Sequence, residues 1–280
     1  MNTEGMERKT AVLTIAGSDS GGNAGIQADL RAFHTFGVHG CTAITALTAQ
    51  NPFELTGVLT ADGDFVTEQI EAVIEIYDIK ALKTGMLCSK DIIESVADSL
   101  ASHNRILKVV DPVMVATSGA KLLENDAIEI LQKELLPLAD LITPNLPEAE
   151  VLLNRVLSTD ADIAAGAKEL FGKYGCAVLI KGGHSRISSA RDLLYTGGNV
   201  LWLESPCVED PLSTHGTGCS LSAAITASLA CGKDLTDAVV EGKAYVYESI
   251  RTGVNIGECA AVLGTPKSLP IEAITITPTH

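Results

Sequence analysis

The sequence predicts an α/β protein built on a mostly parallel, doubly wound sheet with helices on both sides. Short β-branched or apolar runs alternate with longer segments of helical period. Several runs lack polar alternation, as strands buried on both faces do. Aromatic residues are only 4% of the 280 residues while glycines number 25, a mix suited to close α/β layering. No Ser/Pro-rich linker, repeat or low-complexity tract breaks the rhythm. Residues 1–280 therefore read as one domain, with a short irregular N-terminus over 1–10 and a C-terminal tail over 253–280.

Strands are expected at Ala11–Ala16, Thr42–Thr48, Leu55–Thr60, Ile79–Leu82, Ile106–Val110, Leu141–Thr143 and Ala177–Lys181, each a short apolar or β-branched run. Between them the helical period returns at Gly25–Phe36, Asp64–Tyr77, Lys90–Ser102, Asn125–Leu135, Pro147–Val156 and Asp160–Tyr174. Beyond Lys181 the pattern changes. Asp192–Thr196 and Val200–Glu204 flank Gly197-Gly198-Asn199 as a hairpin or meander. Gly218–Cys231 and Leu235–Arg251 then read as two helices low in large side chains, suited to close packing.

Charge and cysteine usage narrow the function. Twenty Lys+Arg against 35 Asp+Glu leave a net charge of −15, which repels nucleic acid and anionic membranes. An anionic small molecule is still possible where a local site supplies donors. No apolar stretch approaches the roughly 18–20 residues of a membrane span, and the first nine residues have no apolar signal region. The seven cysteines are irregularly spaced without a Cys-x-x-Cys pair, so the expectation is reduced thiols in a cytoplasmic protein.

The chain has no P-loop, no Gly-x-Gly-x-x-Gly after a strand, no His-Glu-x-x-His and no Gly-x-Ser-x-Gly. Three other features carry chemistry. Ala16–Gly25 follows the first strand with four glycines, and its Asp19 is able to accept from a hydroxyl or amine; alone, the segment reads equally as a tight β-α turn. Thr214-His215-Gly216-Thr217-Gly218-Cys219 opens a helix and exposes successive backbone N–H groups, an anion cradle for a phosphoryl group in transfer. Cys219 in the first turn is expected to have its thiol pKa pulled down. A glycine N-cap with a buried cysteine is the plainer reading. Asp111, Asn145 with Glu148, and Lys181 follow three successive strands. Carboxylates there suit a hydrated Mg²⁺, and Lys181 suits phosphate, although each alone also reads as a cap or turn residue.

With these residues assembled, the chain resembles the hydroxymethylpyrimidine/phosphomethylpyrimidine kinases of the ribokinase-like superfamily, enzymes of the thiamine pathway. The matching blocks are Thr14–Asp19, Ala24–Leu30, Ile44–Asn51, Lys83–Leu87, Asp111–Met114, Leu141–Ala149, Lys181–His184 and Thr214–Cys219, in the family's order. The Gly-Thr-Gly-Cys ending is the specific part, because most ribokinase-like enzymes carry Asp where Cys219 stands.

The resemblance implies a three-layer α/β/α sandwich, often a homodimer, using ATP and Mg²⁺ to phosphorylate 4-amino-5-hydroxymethyl-2-methylpyrimidine and then its monophosphate. It implies a pyrimidine pocket lined by Ala24, Thr48, Gln50, Met86 and Val113, beside Asp19. Asn145, Glu148, Lys181 and Lys243 would face the nucleotide, Asp111 and Glu148 the metal. Gly216, Thr217 and Gly218 would form the anion hole, and Cys219 would take or orient the hydroxyl proton. Three departures stand out: Asp19–Gly25 is more polar than the usual Asp-Pro-Ser-Gly-Gly-Ala-Gly, Thr48 replaces a common Val, and Val254–Leu263 replaces a glycine-proline-rich signature. Pyridoxal kinase is the alternative within the fold. A non-catalytic ligand-binding protein and a redox role for Cys219 are alternatives of other classes.

Overall fold

The computed structural model describes residues 9–115, 122–182 and 189–279. The first half runs β1 (Ala11–Asp19), α1 (Gly25–Thr35), β2 (His39–Gln50), β3 (Leu55–Thr60), α2 (Gly63–Ile74), β4 (Ile79–Thr84), α3 (Lys90–Ala101) and β5 (Leu107–Val110). There follow α4 (Asn125–Ile130), β6 (Leu141–Ile142), α5 (Leu146–Leu153), α6 (Asp160–Tyr174), β7 (Ala177–Lys181), β8 (Ser189–Tyr195) and β9 (Val200–Pro206). The chain ends with α7 (Thr217–Ala230), α8 (Leu235–Arg251), β10 (Val254–Ile256), β11 (Ala260–Val262) and β12 (Thr275–Thr279).

Ten strands form one sheet in the order β12-β9-β8-β7-β6-β5-β4-β1-β2-β3. The six from β7 to β2 are mutually parallel, while β3 at one side and β8, β9 and β12 at the other are antiparallel. Successive residues of a strand feed opposite layers. Leu13, Ile15, Val110, Ile142 and Val178 pack with Ile70 of α2, Val96 of α3, Leu152 of α5 and Leu170 of α6. Their neighbours Val109, Leu141 and Leu179 pack with Ile225 of α7 and Val239 of α8, and Val12 packs with Phe33 of α1. Each such side chain contributes about 1.5–3 kcal/mol by leaving water, which is why these runs are mostly apolar on both faces, with Thr14 and Lys108 as buried polar exceptions.

β1 has β2 on one side and β4 on the other, so the connections leave it in opposite directions. At such a switch point a crevice opens beyond the carboxyl ends of the strands. Asp19, Thr84, Asp111, Thr143 and Lys181 all stand at or just past those ends.

Three expectations need correction. The helix expected at Asn125–Leu135 ends at Ile130 and continues as a wider π turn, Leu131–Leu135, and a 3-10 turn, Leu136–Leu138. Pro137 lacks the N–H that a regular ladder needs there. β2 is longer than expected, His39–Gln50, because it pairs with β1 to Thr48 and with β3 to Gln50. The expected tail over 253–280 is built into the fold: β10 and β11 form a hairpin, and β12 extends the sheet along β9. The Gly183-His184 pair of the resemblance lies outside the described residues.

Candidate active site

Two helix N-termini meet at the switch point. Gly216, the N-cap of α7, has φ +87°, and a Cβ there would overlap the Asn23 carbonyl. Only glycine lets this turn press against the start of α1. First-turn amides of a helix lack intrahelical acceptors, so α7 presents N–H groups outward here. They face a charged cluster: a Cβ on Gly218 would lie 3.5 Å from Lys181 Nζ and 3.9 Å from Asp111 Oδ2.

That cluster comes from three strand ends. Lys181 Nζ donates to Asp111 Oδ1 at 2.8 Å, and Ser222 Oγ of α7 donates to Asp111 Oδ2 at 3.4 Å. Burial works against the Lys181 charge, but Asp111 and Glu148 outweigh it and hold the ammonium up. Asn145 and Glu148 form a capping box on α5: Asn145 Oδ1 accepts from the Glu148 N–H at 2.9 Å, and Glu148 Oε2 from the Asn145 N–H at 2.8 Å. Burial pushes the Glu148 carboxyl up to about 7; Lys181 opposes and the Asp111 carboxylate adds.

Among the described residues, no three His, Cys, Asp or Glu side chains gather as a metal-ligand set. Mg²⁺ does not need one, since it keeps several waters and takes one or two carboxylates with phosphate oxygens. Asp111 and Glu148 repel one another in a buried setting that a divalent cation would relieve. The Thr84 and Thr143 hydroxyls, on the strands either side of Asp111, are buried without a hydrogen-bond partner. Both observations fit such a group.

Cys219 lies one residue further along α7. Burial pushes its thiol up, with the Lys83 ammonium opposing, Asp29 and Asp111 adding, and the Gly25 N–H opposing. The expected lowering at a helix N-terminus is thus reversed, because desolvation of a thiolate outweighs the helix end. Lys83 stood in the sequence only as the head of a matching block, with no role of its own. It and Asp29 are fully buried, with Nζ 3.0 Å from each Asp29 oxygen, and Thr14 Oγ1 donates to Asp29 Oδ2 at 2.6 Å. Burial pushes the Asp29 carboxyl up and Lys83 pulls it back; Asp29 and Cys219 in turn outweigh the burial of the Lys83 ammonium. A separation of 54 residues hides the pair in the sequence. Removing one partner of such a pair costs about 3–5 kcal/mol.

The residues expected around the pyrimidine fall into two groups. Asp19 is occupied by its own loop: it accepts the N–H groups of Gly21, Asn23 and Ala24 at 2.8, 2.9 and 2.8 Å. Burial works to raise its carboxyl, but His215 and those donors together hold it below the usual carboxylate range. Thr48 Oγ1 donates to the Ser18 carbonyl at 3.0 Å, so its hydroxyl already has an acceptor. Gln50 Nε2, Met86 and Ala24 remain near the crevice. Met86 packs on Gly17 and is positioned by Thr45 Oγ1, which donates to the Met86 carbonyl at 2.6 Å. Gln50 Nε2 lies 3.0 Å from His215 Nε2. Ser20, where the family often has proline, bonds the Gln50 backbone at both ends, donating to its carbonyl and accepting its N–H at 2.8 Å each. Val113 stands two residues past Asp111, its N–H donating to the Asp111 carbonyl at 2.8 Å. Lys243 is not brought to the cluster as a free cation: its ammonium is buried 2.6 Å from Asp192 Oδ2, whose other oxygen accepts the Gly182 N–H at 3.0 Å.

A glycine-capped helix start, a lysine–carboxylate cluster and a sulfur meet at the switch point of a mostly parallel sheet, the arrangement of a ribokinase-like phosphotransferase. The profile of the family described as phosphomethylpyrimidine kinase matches residues 19–263, and the chain belongs to that family. A hydroxymethylpyrimidine/phosphomethylpyrimidine kinase of Rhizobium meliloti is 46% identical, over 85% of this chain and 89% of its own. Among solved structures, a phosphomethylpyrimidine kinase from Clostridium difficile is 40% identical with a TM-score of 0.77, covering 86% of this chain and 100% of that one. The pyridoxal kinase of Staphylococcus aureus in complex with AMP-PCP is 33% identical with a TM-score of 0.87, covering 98% and 100%.

Proposed function

We propose that the chain is an ATP-dependent kinase of 4-amino-5-hydroxymethyl-2-methylpyrimidine and of its monophosphate, supplying the pyrimidine diphosphate of thiamine synthesis. The observation that carries the reading is the start of α7, whose amides and Cys219 adjoin Lys181 and Asp111. Phosphoryl transfer asks for little besides positioning and stabilisation of spreading negative charge. First-turn amides of α7 receive that charge, and Lys181 neutralises phosphate oxygens beside them. Cys219 Sγ orients the acceptor hydroxyl and, as thiolate, takes its proton. Lys83 and the Gly25 N–H favour that thiolate against burial. Asp111 and Glu148 would hold hydrated Mg²⁺, which when bound with ATP offsets phosphate charge. Gln50 reads the aminopyrimidine edge, because an amide offers both a donor and an acceptor.

Pyridoxal is the second reading, favoured by the high structural similarity to the Staphylococcus aureus pyridoxal kinase. Pyridoxal also carries a hydroxymethyl on an aromatic ring, so the same machinery would serve. Competing kcat/KM values decide: the pyrimidine is expected to win, and a preference for pyridoxal above about tenfold, 1.4 kcal/mol, overturns the assignment. In the same assay Cys219→Ala is expected to lower kcat by about 10²–10⁴ with KM nearly unchanged. Near-normal turnover would remove the sulfur from the mechanism.

A further inference from the structure

The resemblance implies that Lys243 faces the nucleotide, yet the structure gives its ammonium another partner. Lys243 is buried on α8, its Nζ 2.6 Å from Oδ2 of Asp192 on β8. Asp192 Oδ1 accepts the Gly182 N–H at 3.0 Å, so both carboxylate oxygens are engaged. Gly182 directly follows Lys181, and a Cβ on it would overlap the Arg191 carbonyl. The end of β7 is thus gripped by β8 on one side. On the other side the Lys181 N–H donates to the Pro144 carbonyl at 2.9 Å.

The register of the β7–β8 ladder gives the Asp192–Lys243 pair its meaning. Leu179 lies opposite Leu194, and both pack in the layer of α7 and α8. Two residues along the ladder, Lys181 lies opposite Asp192, so their side chains emerge on that same face. Directly opposed residues of an antiparallel pair have Cβ atoms about 4.5–5.5 Å apart, and opposite charges there attract. Lys181 nevertheless pairs with Asp111, at 2.8 Å, while its cross-strand neighbour pairs with Lys243. Two ammonium groups and two carboxylates therefore meet in one layer. Only the pairing observed leaves Lys181 beside the α7 turn.

We propose that Lys243 is a positioning residue: by occupying Asp192 it leaves Lys181 to Asp111 and to the phosphates of the nucleotide. The role rests on the reading of Lys181 as the cation that meets those phosphates. Without the Lys243 ammonium, Asp192 is a buried carboxylate lacking its counter-charge, a strongly destabilising state. Lys181 is then a cation within reach, and it is drawn across the ladder, away from the α7 turn. Removing the Asp192 charge as well ends the competition. Asparagine keeps an acceptor for the Gly182 N–H, and Lys181 returns to Asp111. A lysine that touched the nucleotide directly would behave otherwise, because no change at Asp192 replaces its charge.

The test is a double-mutant cycle in the full-length enzyme, read as KM for ATP and KM for the pyrimidine. Lys243→Met is expected to raise KM for ATP about tenfold and to leave KM for the pyrimidine within twofold. Adding Asp192→Asn is expected to bring KM for ATP back to less than threefold above wild type. A double variant still raised threefold or more overturns the proposal in favour of direct contact between Lys243 and nucleotide. A rise below threefold in Lys243→Met, with only the melting temperature lowered, overturns it in favour of a purely structural pair. An equal rise in both KM values overturns it as a general loosening of the site. If Lys243→Met does not fold, the double variant buries no unpaired carboxylate and is judged against wild type by the same threefold limit. Lys181→Met separates the two readings. If kcat and KM for ATP are unchanged in that variant, the reading of Lys181 fails. If they change while Asp192→Asn gives no rescue, only the role of Lys243 fails.

Discussion

At Glu148 one carboxyl serves two neighbours. Its oxygens accept the N–H groups of Asn145 and Met114, and its charge faces Asp111 and Lys181. Burial, with Asp111 adding and Lys181 opposing, lifts its pKa from an ordinary 4.5 to about 7. The native state therefore binds a proton that the unfolded chain has released between those values, so this group's contribution to stability falls as pH rises across that window. A cation held by Asp111 and Glu148, as proposed, would reverse the balance, since it would bind the deprotonated form. The apparent KM for Mg²⁺ at saturating ATP is expected to fall about tenfold from pH 6 to pH 8. Glu148→Gln keeps an acceptor for the Asn145 N–H but gives up the longer contact with the Met114 N–H, and should flatten that slope; an unchanged slope in the variant would show that another group titrates. Neither this shift nor the Lys83–Asp29 pair was legible in sequence. The blocks containing Lys83 and Asp29 were visible as motifs, but burial and a contact 54 residues apart are properties of the folded chain.

Where α7 begins, backbone conformation and close packing demand the same residue. Gly216 and Gly232 bound the helix, and both have φ +87°. A Cβ at Gly216 would overlap the Asn23 carbonyl of the loop before α1, whereas a Cβ at Gly232 would meet nothing within 4 Å. Alanine at either position pays the left-handed conformation, about 1–2 kcal/mol. Only Gly216→Ala must also part the two helix starts that flank Cys219. The expected outcome is a larger loss of stability in urea melts for Gly216→Ala than for Gly232→Ala, with kcat falling about 10²-fold or more for Gly216→Ala and hardly changing for Gly232→Ala. Equal kcat in the two would mean that the contact between α1 and α7 does not shape the site. The Thr214–Cys219 motif marked this helix start correctly because glycine spacing and a helical period are local signals. The β10–β11 hairpin and β12 were not legible: strands of three residues show no period, and β12 contains Pro278, which a strand tolerates only at an edge such as the one it forms beside β9.

The sheet ends differently on its two sides, and this bears on whether the molecule stands alone. β12 closes one side with threonines and Pro278, which discourage further pairing. β3 closes the other with Leu-Thr-Gly-Val-Leu-Thr, which has neither charge nor proline. Leu59 lies opposite Leu47 across the β2–β3 ladder, the two 69% and 51% exposed, and Val58 and Phe53 are exposed nearby. Uncharged apolar edges of this kind are ordinarily covered, and the homodimer implied by the resemblance would cover this one with a second copy. Two chains of net charge −15 repel as they approach, while the patch itself has no charge to be screened. Dimerisation through β3 should therefore tighten as NaCl is raised from about 20 to 200 mM, over which the Debye length shortens from roughly 20 to 7 Å. Sedimentation velocity at micromolar protein is expected to show a dimer in wild type and a dissociation constant at least tenfold weaker in Leu59→Glu, which places a carboxylate in the patch of each copy. A wild-type monomer, or a dimer indifferent to Leu59→Glu, would mean that this edge is left bare and that its short length, six residues, is protection enough.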